Sequence, residues 1–581
     1  MYLGWIDYGV LALLLIISGA IGIYQGCLRS KKVSTQEFLV GDGRMKILPT
    51  AMSLLASLTS AASLLGMPVE VYYYGTMFIY CIFSWFISTY ITMKFFIPKY
   101  HYIGNASIYA YLEERFSLTI RILVTSSYIL ITVLYMAVII YGPSLALSQV
   151  TGLNIWVAVG SCGLVCTVYT SFGGIKAVIW TDVIQAVVMF IGLILSIIFG
   201  VIDAGGLSIL FEKLKNGNRL QFSVITLDPS IRYTIWSVLI GVTFSSTAQY
   251  ACIQTQAQRY MCVKNTKSAQ KVVWVHYGMN IFMQILFLCV GCLLYVKYNQ
   301  CDPLQAKIIS RADQLYPFFV IEILGKYSGL TGIFIASILS ATLSTYSSGV
   351  NSIATVIIED IYKRLSSKCS MSNEHQLMFS KFLSAVIGCL TIFMAFVVSY
   401  MKSNIITIII QIFGAFAAPI LGLYLLGLFS SRVKSRSALV AFFLCLIFQI
   451  FMLFGAILIT KPVNKQGGRL ATSLDGCIPP INITRSEIIY TSSNIFVSLF
   501  SISPLWFIFN GTMLTIIFGL IFSFILDAKD SKIIDPLLLV SRYDIFPCLS
   551  SLTKNTVKRI VIQKHNTISN NDNIIEQESM I

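Results

Sequence analysis

The sequence predicts an all-α polytopic membrane protein with about 13 transmembrane helices. Hydrophobic residues make up 56% of the 581 positions, charged residues make up only 11%, and the mean hydropathy is +0.79. A water-soluble globule does not have this composition, so most of the chain needs lipid as its solvent. In addition, apolar runs of roughly 20 residues, the length of one helical span, recur along nearly the whole chain.

Polar connections separate the predicted spans. In chain order the spans cover residues 6–26, 47–67, 75–97, 119–149, 153–169, 177–202, 233–257, 272–296, 328–358, 377–400, 405–429, 438–460 and 505–526. The first run carries Asp7 near its start, lacks a basic segment before it and ends without a small-residue cleavage site. It is therefore interpreted as a retained span and not as a signal peptide.

Basic residues between the spans predict the orientation of the chain, because Lys and Arg in short loops are retained on the cytoplasmic side. They follow the first, third, fifth, seventh, ninth and eleventh predicted spans and recur in the tail from Lys529. We therefore expect the N-terminus outside the cell and the C-terminus in the cytoplasm, with the protein in the plasma membrane. The same clusters account for the formal net charge of +16, so the charge does not indicate a nucleic-acid partner.

The loops expected outside the cell contain a glycosylation sequon and two cysteines. Asn482 begins an Asn-Ile-Thr sequence before the last span and is the predicted glycosylation site. The sequon at Asn105 lies in a cytoplasmic loop and the one at Asn510 lies at the start of a span, so neither is expected to carry a glycan. Cys301 and Cys477 are candidates for a disulfide, whereas most of the 14 cysteines lie in apolar runs.

The second span is rich in small and hydroxyl residues between positions 53 and 66, where a lipid-facing helix carries Leu and Phe. Close packing against neighbouring helices accounts for such a segment. The alternative is a helix interrupted at mid-membrane whose freed carbonyl groups bind a cation. Non-helical backbone at that depth is tolerated only around a protein-lined or watery site.

The ninth span carries a second polar stretch at 341–352. Ala341, Ser344 and Thr345 stand at i, i+3 and i+4, so one helix face presents a backbone carbonyl and two hydroxyls. Hydrogen bonds from these hydroxyls to their own helix account for the stripe as well. Under the cation-site hypothesis, spans two and nine are two interrupted helices that face each other and offer uncharged oxygens to one alkali ion.

Asp182 and Gln185 form a polar pair in the sixth span. A carboxylate within a span is costly unless it faces the bundle or a watery path, which makes Asp182 a functional candidate. The alternative is that Asp182 lies close enough to Lys176 and the membrane surface to reach cytoplasmic water. Because no paired carboxylates, His/Asp set or metal-ligand spacing indicates a catalytic centre, we expect neither an enzyme nor a cofactor.

Several ordered segments carry a resemblance to one family. They are 38–45 (FLVGDGRM), 169–178 (YTSFGGIKAV), 181–182, 254–260 (QTQAQRY), 313–317 (DQLYP), 343–352, 359–360, 414–416 and 419–422. At these segments the chain resembles the sodium:solute symporter family, of the solute carrier family 5 type. Within that family it resembles the branch of the sodium-dependent multivitamin, monocarboxylate and iodide transporters.

The resemblance implies a LeuT-like core of two inverted five-helix repeats. The implied division of the chain has six parts: 1–46, the first span and a cytoplasmic loop; 47–202, the first repeat; 203–232, an extracellular loop; 233–429, the second repeat; 430–526, two additional spans with the glycosylatable loop; and 527–581, a cytoplasmic tail.

The resemblance also implies a sodium site between the two repeats. Carried over to matching positions, its ligands are the carbonyls of Ala56, Thr59 and Ala341 and the hydroxyls of Ser344 and Thr345. Asp182 and Gln185 match polar residues near the inner sodium path of the family.

Two departures from the family pattern concern the solute. Tyr73 follows Glu70-Val71-Tyr72 where this branch usually has Arg, and Ile253 stands where the family has Asn ahead of a Gln-x-Gln run. The substrate candidates are uncharged residues near the expected path: Ser63, Tyr250, Gln254 and Gln411.

These features predict a sodium-coupled symporter that moves a small solute into the cell by alternating access. The resemblance implies an organic monocarboxylate, a vitamin anion of the biotin or pantothenate type, or iodide. The alternatives are a sodium-coupled carrier of a neutral solute and a transporter-like membrane sensor that signals through its tail. The expected partners are sodium, the solute and the lipid bilayer.

Overall fold

The computed structural model describes residues 4–24, 35–152, 154–365, 372–400, 405–458, 469–477, 499–527, 534–541 and 544. Within these residues the regular secondary structure is helical and contains no strand. The helices are α1 (Trp5–Ile23), α2 (Thr35–Val40), α3 (Ile47–Leu58), α4 (Ala61–Tyr74), α5 (Cys81–Ile91), α6 (Ile97–Ile103), α7 (Ala110–Arg115), α8 (Leu118–Thr151), α9 (Ile155–Asp203), α10 (Leu207–Asn216), α11 (Thr243–Thr247), α12 (Gln254–Met261), α13 (Thr266–Tyr298), α14 (Leu315–Leu324), α15 (Leu330–Val356), α16 (Lys363–Leu365), α17 (Asn373–Ser399), α18 (Ile405–Phe429), α19 (Ser435–Leu458) and α20 (Trp506–Leu526).

Many of these helices are long and apolar enough to cross a membrane. Ten meet that description singly, and the bent pair of α3 and α4 brings the number to 11 in the described part of the chain. The shorter apolar helix Ile155–Val168 and the broken stretch at 237–261 occupy the two other predicted positions. The prediction of an all-helical polytopic membrane protein is confirmed.

The second span is interrupted, as one of the two interpretations of its sequence predicted. The axes of α3 and α4 meet at 64°. Thr59 leaves the helical conformation with φ −81° and ψ 85°. Ser60 then caps α4, because its side chain accepts a hydrogen bond from the Ser63 amide at 3.3 Å.

The ninth span differs from the prediction. α15 runs unbroken from Leu330 to Val356, so the expectation of an interrupted helix there is wrong. Hydroxyl side chains in α15 donate to carbonyls of the same helix; Thr342 Oγ1, for example, donates to the carbonyl of Ile338 at 3.0 Å. Such bonds satisfy the hydroxyls without a break in the helix. The second interruption lies in the seventh span, where Ile253 is extended (φ −101°, ψ 121°) just before α12.

α9 holds two predicted spans that meet at Gly174. The backbone there has φ 60° and ψ −170°, a conformation that side chains rarely adopt. A Cβ at this position would lie 2.6 Å from the ring of Phe38. Both the turn and the close approach of Phe38 therefore require glycine.

The bundle has two ends. We call one end the basic face. It holds the α6–α7 connection and the α12–α13 and α18–α19 turns. Arg115 donates there to the carbonyl of Gly427 at 2.9 Å. We call the other the disulfide face, because Cys301 and Cys477, the predicted candidates, form a disulfide there. α15 passes between the two ends almost wholly buried, in contact with α1, α3, α8 and α9.

Candidate functional site

The break in the second span lies against the middle of α15. Ser344 Oγ donates to the carbonyl of Ala56 at 2.9 Å and lies 3.3 Å from that of Ala341. Thr345 Oγ1 donates to Ala341 at 3.0 Å and lies 3.5 Å from Ala56 O. Four of the five predicted sodium ligands therefore share one buried point.

The carbonyl of Ala56 is available because the helix ends there. In a continuous helix the Ser60 amide would donate to Ala56, but it donates to Leu58 at 3.1 Å. A hydroxyl that donates its hydrogen keeps its lone pairs, so rotation of the Ser344 and Thr345 hydroxyls points two more oxygens at a cation. The arrangement offers carbonyl and hydroxyl oxygens and no ionisable group.

Thr59, the fifth predicted ligand, lies at the break itself. Its amide donates to Leu55 at 2.8 Å, the last bond of α3. Thr59 and Thr345 both line a central cavity, so one edge of the cavity is formed by the oxygen cluster.

The cavity has a volume of about 220 Å³. Its lining among the described residues contains no charged side chain. The polar lining residues include Ser60 and Ser63 at the break. Phe78 and Trp85, whose ring centroids lie 6.5 Å apart, pack together with other apolar lining residues in one cluster. Such a cavity suits a small solute that has one polar end and one apolar end.

The four predicted substrate residues separate into two groups. Ser63 and Tyr250 line the cavity. Gln254 does not, because its amide is bound to the α6–α7 connection: Nε2 donates to Ala106 O at 2.7 Å and Oε1 accepts from the Ile108 amide at 3.0 Å. Gln411 is buried, and its Oε1 has no hydrogen-bond partner within the described residues, but it is not a lining residue.

Four amide side chains that were not among the predicted substrate residues line the cavity, namely Gln249, Gln256, Asn280 and Gln284. Gln284 is 3% exposed and its Nε2 has no partner in the described part of the chain. A buried donor without a partner is costly, which makes this nitrogen a candidate contact for a solute. The spacing of Asn280 and Gln284, one turn apart on α13 within an apolar span, was a usable signal.

Asp182 lies at the centre of a buried polar cluster between the cavity and the basic face. Its Oδ2 accepts from Ser53 Oγ at 2.6 Å and from Arg259 Nη2 at 3.1 Å. Arg259 also donates to Ser348 at 2.5 Å. Asp182 is fully buried and bonds to Arg259, whereas Lys176 pairs with Glu37 at 2.5 Å, so the structure does not favour the alternative of a water-exposed Asp182 beside Lys176.

Two groups in this cluster have no hydrogen-bond partner among the described residues. They are Oδ1 of Asp182 and the whole side-chain amide of Gln185, and both residues are fully buried. The two predicted members of the inner sodium path thus present free oxygens in the same region of α9.

α12 runs from the cavity lining, where Thr255 and Gln256 lie, to the turn before α13 at the basic face. Ser57 donates to Gln256 Oε1 at 2.9 Å, and Thr255 lies 3.0 Å from Ser352. Gln258 Nε2 donates to Thr355 at 3.0 Å and also bonds to the carbonyl of Leu39. Together with Arg259, these bonds fasten α12 to α2, α3, α9 and α15.

Charged groups near the opposite end of the cavity are paired. Glu70 accepts from Arg232 at 2.8 Å and from the Tyr233 hydroxyl at 2.7 Å. Beyond them, the 469–477 segment lies on the end of α4, where the Leu470 amide donates to the carbonyl of Tyr73 at 2.8 Å. The Cys301–Cys477 disulfide joins that segment to the connection after α13.

The predicted glycosylation site, Asn482, lies outside the described residues. Asn105 lies in the α6–α7 connection at the basic face, and Asn510 lies within α20.

Comparison with known proteins gives a family match. The model of the sodium:solute symporter family matches residues 38–445. The human sodium-coupled monocarboxylate transporter 1 is 35% identical over 553 residues, which cover 93% of this chain and 90% of that protein. The mouse sodium-coupled monocarboxylate transporter 2 is 36% identical over 538 residues, covering 92% and 86%. A putative sodium-dependent multivitamin transporter of Drosophila melanogaster is 34% identical over 533 residues, covering 90% and 87%.

Solved structures share the fold. A Na⁺-coupled sialic acid symporter, in a substrate-bound outward-open state, matches with a TM-score of 0.71 and 24% identity, covering 90% of this chain and 98% of that one. A transporter of the nucleobase-cation-symport-1 family, in a closed conformation, matches with a TM-score of 0.52 and 13% identity, covering 87% and 96%.

Proposed function

The chain belongs to the sodium:solute symporter family and is a sodium-coupled solute transporter of the membrane, and we propose that its solute is a small organic monocarboxylate. The observation that carries this proposal is the position of the oxygen cluster of Ala56, Ala341, Ser344 and Thr345 at the edge of a central cavity without charged walls. Two of the relatives described above are named monocarboxylate transporters.

Sodium is the ion that we assign to the oxygen cluster, with Thr59 as the fifth ligand. Hard cations prefer oxygen ligands, and neutral carbonyls and hydroxyls suit a monovalent ion. Proton coupling at this point is disfavoured, because none of the five residues titrates near neutral pH. Asp182 and Gln185 are proposed to provide oxygens along the path by which sodium leaves toward the basic face.

An anionic solute in this cavity needs its charge balanced without a cationic side chain. Sodium at the oxygen cluster supplies one positive charge. The N-terminus of α4, which begins at Ala61 beside Ser60 and Ser63, supplies backbone amides and the positive end of the helix dipole. We therefore propose that the carboxylate lies near Ser63 and the ion, and that the apolar part of the solute lies toward Phe78 and Trp85.

A vitamin anion is a second candidate, because one relative is named a putative multivitamin transporter and a pantothenate-like acid also has one carboxylate. Iodide has neither a carboxylate nor an apolar part, so the lining favours a carboxylate over a halide. A neutral solute would leave the sodium charge without a counterion in the cavity.

We propose that the basic face lies in the cytoplasm of the cell and that the protein works in the plasma membrane. We propose further that α12, held by its contacts to α2, α3, α9 and α15, closes the cavity toward that face, as in a carrier that receives solute from outside. Sodium that binds the outward arrangement more tightly shifts the population toward it. Each net charge that crosses adds on the order of 2.3 kcal/mol per 100 mV, so two sodium ions per monoanion would draw on the membrane potential, whereas one sodium ion per monoanion would draw on the sodium gradient alone.

Tracer uptake tests the proposal directly. Cells that express the chain should accumulate lactate or butyrate, or on the second candidate pantothenate or biotin, in sodium medium and not in sodium-free medium. Iodide, glucose and choline serve as the comparison solutes. Sodium-dependent uptake of glucose with none of any carboxylate would overturn the monocarboxylate assignment, and a chain at the cell surface that transports no solute would favour the sensor alternative.

A further inference from the structure

A short segment beyond the last membrane helix lies on the basic face. In residues 534–541, Pro536–Leu538 form one 3-10 turn, which Asp535 caps by accepting from the Leu537 amide at 3.0 Å. The side chain of Leu538 is 4% exposed and belongs to the main hydrophobic core cluster. The segment is thus packed as part of the protein.

The groove that holds the segment is built from α6, α7 and the end of α18. Lys99 Nζ donates to the carbonyls of Leu537 and Leu539, each at 2.8 Å. Tyr111 Oη donates to the carbonyl of Leu538 at 3.1 Å. These bonds hold the backbone carbonyls of the turn and of the residue that follows it, while the buried side chain of Leu538 anchors the segment.

The far end of α18 completes the groove. The Val540 amide donates to the carbonyl of Leu428 at 2.8 Å, so the segment also satisfies a carbonyl at the C-terminus of that helix. At the other end of the segment, Tyr102 Oη donates to Asp535 at 3.1 Å.

The groove is connected to α12 through direct contacts. The rings of Tyr111 and Tyr424 stack with centroids 5.5 Å apart, and Tyr424 Oη donates to the carbonyl of Ile108 at 3.1 Å. The amide of Ile108 in turn donates to Gln254 Oε1 at 3.0 Å. Gln254 begins α12, the helix that closes the basic face.

We propose that residues 534–541 form an intramolecular latch that docks in this groove and holds the basic face closed. The proposal rests on the assignment of α12 as the inner closure under the proposed function. Docking stabilises the closed arrangement because the α6–α7 connection is held from both sides, by Gln254 and by Tyr424. An opening of the basic face that moves this connection has to break the docking contacts, so release of the segment favours opening.

The test measures how readily thiols behind the α6–α7 connection react. Cys252 is buried, and its carbonyl accepts from Tyr109 at 3.2 Å, so it becomes reachable only when that connection moves. Inside-out vesicles that contain the full-length protein are treated with a membrane-impermeant maleimide, and modification of Cys252 is quantified by peptide mass spectrometry.

Two full-length variants weaken the latch at different points. Leu538→Asp places a charge in the buried anchor position. Tyr111→Phe keeps the stacked ring and removes one hydrogen bond to the segment, so it does not threaten folding. We expect modification of Cys252 to be about fivefold faster in Tyr111→Phe and faster still in Leu538→Asp, in line with the loss of one hydrogen bond and of a buried side chain.

The matched control is Leu549→Asp, the same chemical change later in the tail, which should leave the rate unchanged. A synthetic peptide of residues 534–541 added in excess should restore slow modification in Leu538→Asp. Equal rates in wild type and both latch variants, or no effect of the peptide, would overturn the latch. If the wild-type protein shows no sodium-dependent uptake, that result counts against the proposed function and not against the latch, because the labelling experiment does not require transport.

Discussion

The hydroxyl of Ser344 lies 2.9 Å from the carbonyl oxygen of Ala56, although 288 positions separate the two residues in the chain. One residue comes from an unbroken helix and the other from the last turn before a break. Their meeting links the two halves of the protein at one point, and an ion bound there is sensitive to how the halves are arranged.

Removal of both hydroxyls at that point should weaken sodium binding. In Ser344→Ala with Thr345→Ala, we expect the sodium concentration for half-maximal uptake to rise at least roughly tenfold, because each contact between a hydroxyl and a cation contributes about 1.5 kcal/mol. Uptake at graded sodium, corrected for surface expression, measures it. Ser347→Ala is the control, since that hydroxyl bonds to Ser344 O at 3.2 Å within its own helix. An unchanged sodium dependence of the double variant would refute the site.

The buried pair of Asp182 and Arg259 should behave as a unit in a double-mutant cycle. Asp182→Asn leaves a buried guanidinium without its counterion, and Arg259→Gln leaves a buried carboxylate. Each change should destabilise the protein by about 3–5 kcal/mol, seen as a lower thermal unfolding midpoint in detergent. The double variant should be less destabilised than the sum of the single variants. Additive losses would show that the two groups do not interact.

Gln284 should contribute to recognition of an anion. Gln284→Glu keeps the shape of the side chain but places a carboxylate in the cavity, so the KM for a monocarboxylate should rise by roughly tenfold or more. Gln284→Leu, which only removes the donor, should have a smaller effect of about fivefold. Concentration series of tracer uptake at saturating sodium separate the two variants. Equal KM values in wild type and Gln284→Glu would place the solute elsewhere.

Loss of the Cys301–Cys477 disulfide should loosen the segment that lies over the end of α4. The disulfide links positions 176 residues apart, and removal of such a link typically costs about 2–4 kcal/mol. Cys301→Ser, Cys477→Ser and the double variant should therefore show the same lowered unfolding midpoint. Cys389→Ser, at an exposed free cysteine, is the control. A double variant clearly less stable than either single variant would show that the two thiols act separately.

Much of this architecture follows from sequence patterns. The apolar runs predicted the helices, and the i, i+3, i+4 spacing of Ala341, Ser344 and Thr345 predicted a shared face. The position of the second break was not predictable in the same way. Hydroxyl-rich α15 is continuous and its hydroxyls bond to its own carbonyls, whereas the break at Ile253 falls in a stretch without glycine or proline, so no local residue marked it.

The substrate residues show a similar limit. Tyr250 and Gln254 are one turn apart in the sequence, but the extended backbone at Ile253 changes the direction of the chain between them. As a result, Tyr250 lines the cavity while Gln254 bonds to the α6–α7 connection. The sequence analysis treated this stretch as one continuous span, so it placed both side chains near the same path.

The described residues that line the cavity are uncharged, so the side chains that shape the cavity are not the groups proposed to balance the charge of an anion. Under the proposed function, charge compensation for an anion falls to the bound sodium ion and to backbone amides, and the side chains of the apolar lining take no part in it. The apolar residues of the lining can therefore change in sequence while the proposed sodium ligands stay the same. When Phe78 or Trp85 is replaced by a smaller residue, the relative uptake of monocarboxylates of different chain length should change, while the sodium concentration needed for uptake should stay the same.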